Sequence, residues 1–152
     1  MHELMGHAPM FSHKPFADFS QDIGLASLGA SELELRKLAA IYWFTIEFGM
    51  VKEPEGIKAY GAGILGGVGE LEYSITDKPK FLPLDLNEIT QHHYNNIVVN
   101  DMQPYYFVAE NFENAQMQIN EYVEKMNRPF NVSFNEEDFS IEIDRRIKTR
   151  KE

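Results

Sequence analysis

Cysteine is absent from the 152 residues, which excludes a disulfide framework and any thiolate metal site. Long apolar runs are absent too. Nothing approaches the ~18 residues of a membrane span, and residues 1–15 lack the pattern of a secretory signal, so a cytoplasmic protein with no membrane partner is expected. Basic charge is scarce except at one end. The chain holds 14 Lys and Arg against 24 Asp and Glu, and five of the basic side chains fall in residues 145–152, leaving nine against 23 in the first 144. An acidic body repels a phosphate backbone, and the basic tail has no interleaved aromatics, so a nucleic-acid partner is not expected.

What is present suffices for one globular domain: 43% of the residues are hydrophobic, and no repeat, low-complexity stretch or long linker divides them. The clearest element is a helix over 32–48. Ser31 caps it, Glu34 closes a capping box, and Gly49 stands just past its end. Leu38, Tyr42 and Thr45 share one of its faces, with Leu35 and Ile46 at the margins. A second helix is expected over 112–126, with Ala115, Ile119, Tyr122 and Met126 at core spacing. Phe130, Val132 and Phe134, then Phe139, Ile141 and Ile143, alternate as two strands of a terminal hairpin turning at 135–138. Short strands are expected at 57–60 and 105–108, and a helical continuation at 70–74. Pro9 and Pro15 read as breaks in a mixed region over 8–30. Residues 50–56 read as a polar turn, and 83–103 mostly as loop, extended over 94–99. The expected class is mainly α (α+β), with a small β-hairpin at the C-terminal end.

Glu47 is the sharpest chemical signal. It falls in the last turn of the first helix, where the dipole disfavours an anion, among Trp43, Phe44, Ile46 and Phe48. Such a carboxylate must be exposed, neutralised, or paired with an arginine or a metal. His2 and His7 flank Gly6 in His2-Glu-Leu-Met-Gly-His7. In an ideal α-helix, residues five apart point ~140° from each other, which excludes the zinc-protease arrangement. A turn at Gly6 would let the two rings converge, and two imidazoles with one carboxylate can form the three-ligand face of a non-haem iron site. Gly61-Ala-Gly63-Ile-Leu-Gly66 matches a dinucleotide fingerprint letter for letter. Gly67, Gly69, Pro79 and Pro83 spoil the helix and strand that such a site needs. Close backbone approach is the preferred reading of these glycines. His13, His92 and His93 receive no role.

Beyond these residues, the chain resembles the catalytic domain of the pterin-dependent aromatic amino acid hydroxylases. The resemblance is carried by His2-Glu-Leu-Met-Gly-His7, Phe19-Ser-Gln-Asp-Ile-Gly-Leu-Ala-Ser-Leu-Gly29, Tyr42-Trp-Phe-Thr-Ile-Glu-Phe-Gly49 and Lys58-Ala-Tyr-Gly-Ala-Gly63. Gln103-Pro104, Phe107-Val108 and Arg128-Pro129-Phe130 continue it, to about Asp144. It implies Fe(II) held by His2, His7 and Glu47, and tetrahydrobiopterin or a related reduced pterin beside Glu3, Ala39 and Tyr42. An aromatic amino acid would lie near Trp43, Phe48 and Val99, with O₂ as the oxidant. An apolar Val99, together with residues 77–84, favours the phenylalanine branch; tyrosine or tryptophan specificity is the alternative, as is a non-catalytic module that keeps the fold. Gly66 and Gly67 replace a serine pair that supports an iron-ligating histidine in the family. The resemblance further implies residues 1–129 as the C-terminal portion of the catalytic domain, 130–144 as an arm able to form a homodimer, and 145–152 as a basic tail. The upstream half of that domain is missing, so a fragment with weak iron binding and little activity of its own is expected.

Overall fold

The computed structural model describes residues 1–147; the last five positions, with three of the tail's basic groups, lie outside the described residues. Helix α1 opens as a wide π-type turn, His2–His7, and continues through Ala8–Met10. It is followed by α2 (Lys14–Ser27) and α3 (Glu32–Tyr42), whose end widens into a second π-type turn, Trp43–Glu47. Strands β1 (Met50–Glu53) and β2 (Gly56–Ala59) precede the short helices α4 (Ala62–Leu65) and α5 (Val68–Ser74). Then come β3 (Lys80–Pro83), α6 (Leu86–Glu88, running on through Ile89–His93), β4 (Tyr105–Ala109), α7 (Phe112–Glu124), β5 (Val132–Asn135) and β6 (Ser140–Ile143).

The first four strands form one sheet in the order β2-β1-β4-β3, and β5 pairs with β6 in a separate hairpin. Strand β4 runs parallel to both β1 and β3, while β1 and β2 are antiparallel. Its side chains alternate between two apolar clusters, as strand geometry requires. Phe107 and Ala109 face a core built from Phe16, Phe19 and Ile23 of α2, Ile41 and Phe44 of the α3 segment, and Ala115 and Ile119 of α7. Tyr106 and Val108 face Met50 and Ile64 on the other side. Helices therefore cover both faces of the sheet, and the helix-rich α+β class expected from the sequence is observed. No helix among the described residues is long and apolar enough to cross a membrane.

Several elements depart from expectation for identifiable reasons. Pro15 starts α2 instead of breaking it, because the first helical turn has no N–H bond to lose. Phe16, Phe19, Ile23 and Ala26 then form one buried stripe along that helix. The α3 capping box is present: the Glu34 N–H donates to Ser31 Oγ at 3.3 Å, and the Ser31 N–H donates to Glu34 Oε2 at 2.9 Å. Leu35, expected at the margin of the core, is 43% exposed. Residues 50–53 are a strand, not a turn; Met50 and Val51 are buried while Lys52 and Glu53 are exposed, which hides the period of two. Residues 80–83 form an edge strand, the place in a sheet where Pro83 costs no ladder bond. Within the expected loop 83–103, Asp85 caps α6 by accepting from the Asn87 and Glu88 N–H groups at 2.8 and 3.2 Å.

The terminal hairpin has the expected alternation, with Val132 opposite Ile143 and Phe134 opposite Ile141. Lys14 Nζ reaches Glu136 at 2.8 Å and so ties the hairpin to α2.

Candidate metal centre

The two histidines converge because α1 opens as a π-type turn. Its i→i+5 hydrogen bonding brings residues five apart back to the same face, whereas an α-helix would splay them. Their rings meet edge to face with centroids 4.8 Å apart. The helix can sit this low because Gly6 has no side chain: a Cβ there would come within 2.6 Å of the Ala62 carbonyl on α4. The third group arrives through the same device. In the π-type turn that ends α3, the Phe48 N–H donates to Trp43 O at 2.9 Å. Glu47 thereby points across at α1.

His2 Nε2 lies 3.3 Å from Glu47 Oε2, and His7 Nε2 lies 3.2 Å from Glu47 Oε1. Among the described residues no lysine or arginine pairs with Glu47, so its partners are the two imidazoles. Ligands ~2.1 Å from a common ion and at right angles to each other lie ~3 Å apart, and each imidazole stands at about that distance from the Glu47 carboxylate. The donor set of two nitrogens and one carboxylate suits iron, and the side chain of His2 is 44% exposed, which leaves one side of the cluster open. Glu3 also brings a carboxylate to within 4.8 Å of both imidazoles. Behind the cluster, His7 stacks on Phe11 at 5.9 Å, and its buried Nδ1 has no hydrogen-bond partner among the described residues.

The glycine segment supports this face from below. A Cβ on Gly66 would lie 3.0 Å from His2 Nδ1, whereas one on Gly67 would meet Gly63 and Glu70. Only Gly66 of the pair therefore touches a histidine of the cluster. Gly61 and Gly66 bracket α4 rather than leading into a βαβ unit, and β2 pairs with β1 alone. A dinucleotide crevice needs adjacent parallel strands at this point. The close-approach reading of the glycines holds.

The other singled-out residues take distinct places. Tyr42 sits beside Glu47 and Glu3; its phenol pKa is raised, first by burial and then by these two carboxylates. Ala39 and Tyr42 line an apolar groove of about 250 Å³ between α2 and α3. Trp43 and Phe48 pack ring on ring at 4.7 Å, with the Phe48 ring seated over Gly63. Val99 stands 70% exposed on the segment between α6 and β4, next to the Val98 carbonyl that accepts from Gln103 Nε2. Three residues without a predicted role complete the surroundings: buried Gln103 accepts from Trp43 Nε1 at 3.3 Å, and Glu70 accepts from Tyr106 Oη at 2.5 Å and from the Gln103 N–H at 3.2 Å. In the sequence Gln103 shows only in the Gln103-Pro104 motif, and Glu70 and Tyr106 only as members of the expected helix at 70–74 and strand at 105–108.

A family model described as biopterin-dependent aromatic amino acid hydroxylase matches residues 1–151. Phenylalanine-4-hydroxylase of Rattus norvegicus is 49% identical over 142 residues, covering 93% of this chain and 31% of its own length. Tyrosine 3-monooxygenase of the same organism is 44% identical over the same share of this chain and 28% of its own. Among solved structures, phenylalanine hydroxylase of Chromobacterium violaceum, with bound iron(III) and 7,8-dihydrobiopterin, superposes with a TM-score of 0.73 at 31% identity, covering 80% of this chain and 44% of that one. The Legionella pneumophila phenylalanine hydroxylase gives 0.71 at 32% identity, covering 82% and 47%. The chain thus spans about a third of the length of the curated relatives it matches.

Proposed function

The chain belongs to the biopterin-dependent aromatic amino acid hydroxylases, and from that premise we propose that His2, His7 and Glu47 hold Fe(II) in a polypeptide that converts phenylalanine to tyrosine with a tetrahydropterin and O₂. The observation that carries the proposal is the approach of both Nε2 atoms to the Glu47 carboxylate at 3.3 and 3.2 Å. Iron held there would supply the centre at which O₂ is activated with electrons from the reduced pterin; one oxygen atom enters the ring and the other leaves on the pterin.

The protein's own part is orientation. An ion held by His2, His7 and Glu47 alone would keep positions open for the reaction. Glu3, Ala39 and Tyr42 form the pterin side, where burial and the two carboxylates raise the Tyr42 phenol pKa and keep it uncharged. Trp43 and Phe48 form an apolar aromatic wall that takes a phenyl ring by stacking and excludes water from it. Val99 leaves that side without a charge, which favours phenylalanine. Greater identity to the phenylalanine enzyme than to the tyrosine enzyme, 49% against 44%, points the same way. Gly66 offers no hydroxyl to His2, so that imidazole takes no side-chain hydrogen bond from this position. The exposed Ile141 and Ile143 of the terminal hairpin offer the contact for a homodimer.

For residues 1–152 alone the proposal is weak iron binding with little turnover. Hydroxylation is proposed for a polypeptide that also supplies the remainder of the relatives' length. The test exchanges the matching third of the rat phenylalanine enzyme for this chain and measures hydroxylation of phenylalanine, tyrosine and tryptophan under saturating tetrahydropterin. Tyrosine formed from phenylalanine with a clear preference is the expected result. Comparable kcat/KM for tyrosine or tryptophan refutes the substrate assignment, and appreciable turnover by residues 1–152 alone refutes the division of labour.

A further inference from the structure

Gln103 is 2% exposed, and every polar atom of its side chain is engaged. Its Oε1 accepts from the Trp43 indole Nε1–H at 3.3 Å, and its Nε2–H donates to the Val98 carbonyl at 2.7 Å. The amide cannot flip: reversal would set donor against donor at Trp43 and acceptor against acceptor at Val98. Its backbone is held as well, since the Gln103 N–H donates to Glu70 Oε1 at 3.2 Å, and the same oxygen accepts from the fully buried Tyr106 Oη at 2.5 Å. The chain of contacts therefore runs from strand β4 through helix α5 to the ring that packs against Phe48.

We infer that Gln103 is a positioning residue: its amide fixes the plane of the Trp43 indole and the adjacent Val98–Val99 segment, and through them sets which aromatic side chain fits the site. The last step rests on the proposed reading of Trp43 as a wall of the substrate site; the positioning itself does not. The indole is held on one side by the Phe48 ring and at its N–H by the amide, and it is anchored in the same turn as Glu47. A rotation of that ring would change the depth left for a substrate ring, while Val98 and Val99 would move with the released carbonyl.

Trp43 is the sole tryptophan, so the fluorescence of the 152-residue chain reads this ring alone. Gln103→Met keeps the length and removes both bonds. Gln103→Glu keeps the acceptor for the indole and removes the donor to Val98. The expected result is an acrylamide quenching constant for Trp43 raised at least about twofold in Gln103→Met, with lower anisotropy, and a return toward wild type in Gln103→Glu. Thermal melting identifies the folded variants on which the comparison is made. Unchanged quenching and anisotropy in folded Gln103→Met overturns the inference. Should that variant fail to fold, Tyr106→Phe reads the same chain from its far end, with a smaller change of the same sign expected and no change overturning it. The ratio of kcat/KM for phenylalanine over tyrosine, measured with and without Gln103→Met in the full-length rat enzyme carrying this chain, separates the two readings. An unchanged ratio, with the fluorescence contrast intact, upholds the fixed indole and overturns its link to substrate choice.

Discussion

Replacing Gly6 by alanine tests how closely the histidine pair depends on the seat of α1. The new Cβ would lie 2.6 Å from the Ala62 carbonyl and 2.9 Å from the Cα and Cβ of the same residue. Ordinary contact begins near 3.4 Å, so α1 and α4 must part by roughly 0.8 Å, and no flexible side-chain end is there to yield. Overpacking of this kind costs about 1–3 kcal/mol. At about 2–4 °C per kcal/mol for a chain of this size, the melting temperature falls by about 2–12 °C. The larger effect falls on the metal. His2 and His7 ride on the displaced turn, and ligand distances tolerate only about 0.2 Å, so Fe(II) or Co(II) affinity is expected to fall by about 10–100-fold. Gly24→Ala is the control. It lies within α2 with nothing within 4 Å of its added Cβ, and it should gain about 0.5–1 kcal/mol with metal affinity unchanged. Calorimetric metal titration and thermal melting measure both. Wild-type affinity and melting in Gly6→Ala would refute the reasoning.

Two further outcomes follow from the fold. Ser31→Ala removes one half of the α3 capping box and should cost about 1 kcal/mol; chemical denaturation measures it, and no change would mean that the cap is idle. Asp22 accepts from Gln116 Nε2, and its carboxyl pKa is raised above the ordinary value near 3.8, mainly by burial. Below the unfolded-state value both states are protonated and the group is neutral toward stability; as pH rises past it, the folded state holds its proton more tightly and stability is lost. Asp22→Asn should therefore raise the melting temperature at pH 7, and the gain should vanish below about pH 3.8. A gain that grows on acidification would contradict the burial argument.

Much of this arrangement can be read from residue pattern, and the exceptions share a cause. The capped helix at Ser31, the α7 stripe of Ala115 and Ile119, and the hairpin alternation are local signals that tertiary contacts leave intact. Strands β1 and β3 and helix α6 are too short to carry a period, and prolines 79 and 83 read as breakers until β3 is known to be an edge. The site shows the same division. Glu47 is conspicuous because a carboxylate among Trp43, Phe44, Ile46 and Phe48 demands a partner. The convergence of His2 and His7 is hidden, because α-helical spacing forbids it and only the π-type turn, with Gly6 pressed on Ala62, allows it. Gln103 was invisible as an anchor because its partners lie 60 residues away at Trp43 and 33 away at Glu70.

The most direct test of the iron site is an anaerobic Fe(II) titration of the 152-residue chain and its single variants, read by equilibrium dialysis with free ion in excess. One Fe(II) per chain at saturation is predicted for the wild type and for Glu3→Ala, with binding lost in His2→Ala, His7→Ala and Glu47→Ala. Retention of iron by Glu47→Ala, or its loss in Glu3→Ala, would place the carboxylate ligand elsewhere and contradict the account.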